Sequence, residues 1–188
     1  MSRHFTAGGA AIPVTFLDIP VATVAQVKTR ENDGYTALQI GVGKLKNPSK
    51  SKVKKPYSAL REFRGSEGVF ASLELGKTVE VDQFTPGMKV HVIGISKGRG
   101  YAGVVKRHHF RGHPVGHGHK DAERAPGSIG HAGVQHVFKG LRMAGRMGTD
   151  RVTVKNLEVI EVMPRLHRMS VKGAVPGPRN GLVIVRSV

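Results

Sequence analysis

The chain has 188 residues, with 30 Lys and Arg against 13 Asp and Glu, a formal charge of +17, 5% aromatic residues and no cysteine. That length suits one domain or one domain with a long excursion, and so large a cationic excess repels itself unless a polyanion neutralises it. Without cysteine there is no disulfide framework, thiolate metal site or Cys nucleophile; MSRHFTAGGAAIPV lacks a signal peptide's apolar core and no stretch of about 18 apolar residues occurs, so a soluble intracellular protein with no membrane partner is expected.

Three alternating, β-branched stretches open the chain: IPVTFLDI (residues 12–19), ATVAQVKT (22–29) and YTALQIGV (35–42). Each is bounded by Gly, Pro or Asn-Asp-Gly, which predicts strands joined by tight turns. KLKNPSKSKVKKP (44–56) has no apolar periodicity and is followed by YSALREFR (57–64), read as a short helix in a basic surface insertion spanning 44–75. On its own a lysine run is a solvated face or a source of diffuse phosphate attraction, because Lys is a flexible point charge where Arg presents a planar fork. Strand patterns return in TVEVDQF from Thr78 and in MKVHVIGI from Met88, the latter placing Met88, Val90 and Val92 on one face.

Between Ser96 and Asp150 the pattern fails: twelve glycines and seven histidines occur there with only Asp121, Glu123 and Asp150 as acids. Such a segment buries too little apolar surface to offset its ordering entropy, so it is either disordered or shaped by something outside the domain. Order resumes with RVTVKNLEVIEV from Arg151, LHRMSVKGAV from Leu166 and GLVIVR from Gly181. The expected architecture is mainly β, a small closed barrel (1–43 with 76–96 and 150–188) from which the 44–75 insertion and a long irregular extension (97–149) depart.

GRGYAG (98–103) matches G-x-G-x-x-G, but a dinucleotide fingerprint must open a helix leading to a parallel strand, and Gly112 with Pro114 stops any such helix. His117 and His119 supply two of the ligands a zinc ion needs, yet carboxylates are scarce and Lys106, Arg107, Arg111 and Lys120 oppose a dication. Ser128 with a histidine and Asp121 lacks a rigid element holding nucleophile against base. No metal, cofactor or enzymatic activity is therefore expected. The glycines interrupt any amphipathic membrane helix, and no duplex-DNA motif is present. An arm of Arg, Lys, His and Gly suits a folded RNA surface, where imidazoles hydrogen-bond and stack.

SKGRGYAGVVKRHHFRG, RAPGSIG, VFKGLRMAGRMG, RVTVKNLEVIEV and VKGAVPGP, in that order, resemble the bacterial form of the ribosomal protein L3 family, and IPVTFLDI, AQVKTRENDGYTALQIGVG and MSRHFT extend the resemblance over nearly the whole chain. The resemblance implies a translation-type β-barrel whose extension enters large-subunit ribosomal RNA. It also implies early binding in assembly, neighbouring ribosomal proteins as partners, no homo-oligomer, a cytoplasmic ribosomal location with an organellar ribosome as the alternative, and a tip around 127–140 near the peptidyl-transferase centre. On this reading Lys97, Arg99, Lys106, Arg107, Arg111, Lys120, Arg124, Lys139, Arg142, Arg146 and Arg151 meet phosphate. His108, His109, His117 and His119 hydrogen-bond or stack, and Ser128 joins the RNA-binding set. Gly98, Gly100, Gly103, Gly127, Gly130, Gly140, Gly145 and Gly148 allow close backbone approach. The family's Pro-Gly-Lys or Pro-Gly-Arg before Val-Phe-Lys-Gly is replaced by Val134-Gln135-His136, so the methylated glutamine of some members is not carried onto Gln135. The competing reading is a free-standing nucleic-acid chaperone or architectural protein whose arm orders on any polyanion.

Overall fold

Valine-rich alternation builds most of what is ordered. A computed structural model describes residues 1–6, 8–45, 56–65, 67–70, 73–79 and 81–188; most of the lysine run lies outside the described residues. In chain order the elements are β1 (Ser2–Phe5), β2 (Ala11–Asp18), β3 (Ala22–Lys28), the helical turn α1 (Arg30–Asp33), β4 (Ala37–Lys44), β5 (Tyr57–Arg64), α2 (Glu67–Phe70), β6 (Thr78–Val79), β7 (Lys89–Ile95), β8 (Tyr101–Ala102), α3 (Val104–His108), β9 (Gly145–Arg146), β10 (Arg151–Met163), β11 (Arg168–Lys172) and β12 (Val183–Ser187). The fold is mainly β. The chain divides into a first unit, Met1–Val90 with Asn156–Ala174 and Ser187–Val188, and a second, His91–Lys155 with Val175–Arg186.

In the first unit β1, β2, β11 and β10 are hydrogen-bonded neighbours in that order, all antiparallel. Met169, Ser170 and Val171 are all buried on β11, so this strand is covered on both faces, and Val14, Leu17 and Val159 join it in the core. Burying the Ser170 hydroxyl is offset by its hydrogen bond to the Glu161 carbonyl at 3.4 Å. A second sheet in this unit runs β5-β4-β3-β6, with Val24, Ala37 and Leu38 buried. In the second unit β7 neighbours β12, and Gly94 of β7 packs where a Cβ would lie 2.9 Å from the Pro176 carbonyl.

The predicted strands at 12–19, 22–29, 35–42 and 88–95 and those after Arg151 are present, with Val90 and Val92 fully buried on one face of β7. Two readings are corrected. Residues 57–64 form β5, not a helix: Ala37↔Arg64 through Lys44↔Tyr57 register it against β4, and the Tyr57 ring covers the bare Cα of Gly41. Non-local pairing overrides the helix propensity of Ala, Leu, Arg and Glu; the short helix lies at α2. The strand from Thr78 is described over Thr78–Val79 and does not reach Phe84, because Val81–Gln83 forms a 3₁₀ turn with Val81 buried. Its partner runs out, since Val79 pairs with Ala22, the first residue of β3, just beyond Pro20-Val21.

Candidate nucleic-acid interface

The second unit carries the glycine- and histidine-rich segment, and its two limbs meet in a neck. The Ser96 amide donates to the Asp150 carbonyl at 2.9 Å, and the Asp150 amide donates back to Ser96 Oγ at 3.1 Å. Above these, the Arg99 amide donates to the Met147 carbonyl and the Met147 amide to the Gly100 carbonyl, both at 2.9 Å. The ladder ends in Tyr101↔Arg146 and Ala102↔Gly145 of β8 and β9. Gly148 (φ +78) is obligatory here: a Cβ would overlap the Lys97 carbonyl oxygen and lie 2.9 Å from the Gly98 Cα.

Beyond the neck α3 carries Lys106, Arg107 and His108 and ends at His109, which adopts the left-handed conformation (φ 60). The helix that follows GRGYAG thus has five residues, and the next strand, β9, pairs antiparallel with β8. Arg107 and His108 are half-buried, whereas Lys106 and His109 are exposed. Arg107 Nη1 donates to the Met143 carbonyl at 2.7 Å, and His108 Nε2 lies 3.1 Å from the same oxygen, where only a protonated Nε2 makes a hydrogen bond. The Arg142 guanidinium sits 5.7 Å from the centre of the Phe110 ring.

Arg111 leads into a loop closed by the His113 amide donating to the Glu123 carbonyl at 3.0 Å, with His113 and His119 stacked at 5.2 Å. His117 (φ 59) and Lys120 lie on this loop, and Arg124 follows it. Farther on, residues 127–132 and 134–137 line an open trough of about 670 Å³. Ser128 Oγ donates to the Gly130 carbonyl at 2.6 Å, and exposed Phe138 meets His131 and His136 at 6.3 and 5.8 Å between ring centres. Lys139 and Gly140 come next. This aromatic cluster and Phe110 were not singled out in the sequence; rings interleaved with cations were the available signal.

The predicted cations therefore share one unit without forming one cluster. Lys97 and Arg99 lie on the outgoing limb of the neck, Arg146 on the returning limb, and Arg151 begins β10. The unit holds fourteen Lys and Arg against three acids, where the first unit holds sixteen against ten. Every ion pair found among the described residues belongs to the first unit: Lys28–Glu62, Arg64–Glu62, Arg168–Asp18 and Lys172–Glu158. Hydrogen bonds from Lys28 hold the Glu62 carboxyl below the usual glutamate range, and the same bond, then that to Tyr35, raises Lys28. No residue from Val105 to Asp150 is buried.

The predicted contact glycines divide. A Cβ on Gly145 would lie 2.7 Å from Arg107 Nη1, so Gly145, like Gly148, makes room for the protein's own chain. Gly98 has only an ordinary neighbour, Thr149 Cγ2 at 3.8 Å. Gly100, Gly103, Gly127, Gly130 and Gly140 face open space, and Gly103 and Gly130 lack even the positive φ that requires glycine. Among the described residues no three His, Asp or Glu side chains are grouped to hold a metal ion, and no helix is long and apolar enough to cross a membrane.

Residues 66–170 match the family model described as Ribosomal protein L3. "Large ribosomal subunit protein uL3" of Herpetosiphon aurantiacus is 46% identical over 98% of this chain and 91% of its own length. The proteins of the same name from Roseiflexus sp. and Chlorobium limicola are 47% and 43% identical, covering 99% and 100% of this chain and 92% and 94% of their own lengths.

Proposed function

The chain belongs to the ribosomal protein L3 family, and from that membership we propose that it is a structural, non-enzymatic constituent of the large ribosomal subunit that binds large-subunit ribosomal RNA through its second unit. The observation that carries the RNA-binding part is the contrast in pairing: carboxylates meet cations in the first unit, while the cations from Lys97 to Arg151 have no ion-pair partner among the described residues. Eleven cations from Lys97 to Arg151 against three carboxylates, along a segment with no buried residue from Val105 to Asp150, match what a phosphate lattice supplies from outside. Lys97, Arg99, Lys106, Arg111, Lys120, Arg124, Lys139, Arg146 and Arg151 are the phosphate-facing set in this reading.

Gly130 is the point of closest RNA approach in this reading, since nothing in the protein itself accounts for glycine there, whereas Gly103 is the N-cap of α3, a position that glycine suits. In this reading the strands outside 44–75 and 97–149 belong to a translation-type barrel, with 44–75 as an insertion that lends β5 to the four-stranded sheet and 97–149 as the extension that carries β8 and β9. Family membership further suggests early entry into the assembling subunit, contacts with adjoining ribosomal proteins in the cytoplasmic ribosome, and a tip directed at the peptidyl-transferase centre.

The test is binding to large-subunit ribosomal RNA at several salt concentrations, with co-sedimentation through a salt wash. Displacing counterions from six to ten phosphates weakens binding by about 10³–10⁵ between 50 and 200 mM salt. A flat response overturns the proposal; equal affinity for unrelated RNA and DNA, with no retention on subunits, supports the free-standing chaperone instead.

A further inference from the structure

We propose that Arg107 and His108 form an internal clamp on the Met143 carbonyl that fastens the two limbs of the extension before RNA arrives, so that Arg107 is a positioning residue and not a phosphate ligand. Both donors come from the last turn of α3 on the outgoing limb, and the acceptor lies on the returning limb, 36 and 35 residues away in sequence. One carbonyl oxygen has two lone pairs, and at 2.7 and 3.1 Å the Arg107 guanidinium and, in the tautomer with its proton on Nε2, the His108 ring take one each. Gly145 completes the arrangement: only a residue without Cβ leaves the guanidinium its place, since a Cβ would lie 2.7 Å from Nη1.

The neighbours on α3 provide the contrast. Lys106 and His109 are exposed, whereas Arg107 and His108 are half-buried with their donors turned toward the returning limb. The clamp lies just past the two residue pairs of β8 and β9, a ladder too short to hold itself. A charged donor to a carbonyl in this position closes the end of the ladder that is farther from Ser96 and Asp150.

The experiment has two arms on the full-length protein. The first, hydrogen exchange without RNA, is independent of the RNA-binding reading. Arg107→Ala should speed exchange of the Arg99 and Met147 amides on the order of tenfold, as expected for losing a hydrogen bond to a charged group, and leave the Val171 amide of β11 unchanged. Arg107→Lys, which keeps a donor, should restore most of the protection. Gly145→Ala, which displaces the guanidinium without changing charge, should reproduce the loss. Wild-type exchange rates in Arg107→Ala, or equal acceleration at Val171, would overturn the clamp.

The second arm rests on the proposed function and measures the salt dependence of binding to large-subunit ribosomal RNA. Arg107→Ala should bind more weakly with an unchanged slope, whereas Arg99→Ala should flatten the slope by about 0.7–0.9, the share of one phosphate. A slope flattened equally by Arg107→Ala would make Arg107 a phosphate ligand and overturn the assignment. No salt dependence even in the wild type would sink the RNA reading and leave the clamp to be judged on exchange alone.

Discussion

Lys28 and Lys139 are the same side chain in opposite circumstances. Lys28 lies 2.8 Å from Glu62 and over the Tyr35 ring, which also carries Arg64 on it at 4.6 Å; Lys139 has no ion-pair partner among the described residues. The difference holds across the two units. The first buries Val14, Val24, Val159, Met169 and Val171 and answers its charges with its own carboxylates, while in the second burial stops at Val104. The first unit is organised by apolar burial, which needs no partner. The second is held by backbone ladders, short loops and the Met143 carbonyl, and leaves its charge to be answered from outside. One chain thus separates the part that folds by excluding water from the part that, in the proposed function, works by displacing counterions.

The largest test of this division removes the unanswered charge. Replacing Arg99, Arg111, Lys139 and Arg146 together with Ala should flatten the log affinity against log salt slope for ribosomal RNA by about 3, with thermal unfolding of the first unit unchanged; a matching loss of thermal stability would break the comparison. The reverse experiment is Met169→Ala, which opens a cavity under β11 and should cost about 2–5 kcal/mol in denaturant unfolding. Its salt slope for RNA should remain that of the wild type where the protein is folded. A smaller effect is expected of Gly148→Ala: the positive φ and the overlap with the Lys97 carbonyl should destabilise the neck by about 1–3 kcal/mol, read as faster exchange of the Arg99 amide.

The smallest concerns pH. Because the folded state holds the Glu62 carboxyl below its ordinary value, its contribution is complete above the unfolded glutamate range near about 4.3 and is lost as pH falls through the lower folded value. Lys28 is raised, so its side of the pair persists through neutral pH and is lost only as pH rises through its folded value. Glu62→Gln should therefore flatten the acid limb of the stability profile below about pH 4.3 and leave neutral RNA binding untouched.

The sequence was most legible where alternation and burial coincide. MKVHVIGI is the clearest case, with Val90, Val92 and Gly94 buried at alternate positions, while IPVTFLDI, ATVAQVKT and RVTVKNLEVIEV announce their strands by β-branched content and bury only Val14 and Leu17, Val24 and Val159. YSALREFR misleads because its residues favour a helix locally, and its partner β4 lies across a lysine-rich stretch that carries no pairing signal. β1, β8 and β9 are four residues or fewer, too short to show a period.

In the site, charge type was readable and charge direction was not. Nothing in KRHH distinguishes Lys106 from Arg107, because the acceptor that turns Arg107 inward is a main-chain carbonyl 36 residues on. The glycines divide for the same reason. Gly148 is explained by Lys97 on the opposite limb, and only three-dimensional structure separates it from Gly130, which has nothing beside it.

The neck has a consequence for the order of events during synthesis. Ser96 and Asp150 are 54 residues apart, so the outgoing limb leaves the ribosome that makes it well before its mate exists. At roughly 5–20 residues per second the open strand waits about 3–10 seconds, long compared with the microseconds a hairpin needs to close once both sides are present. During that interval the nascent arm is a single unzipped tether bearing most of its cations.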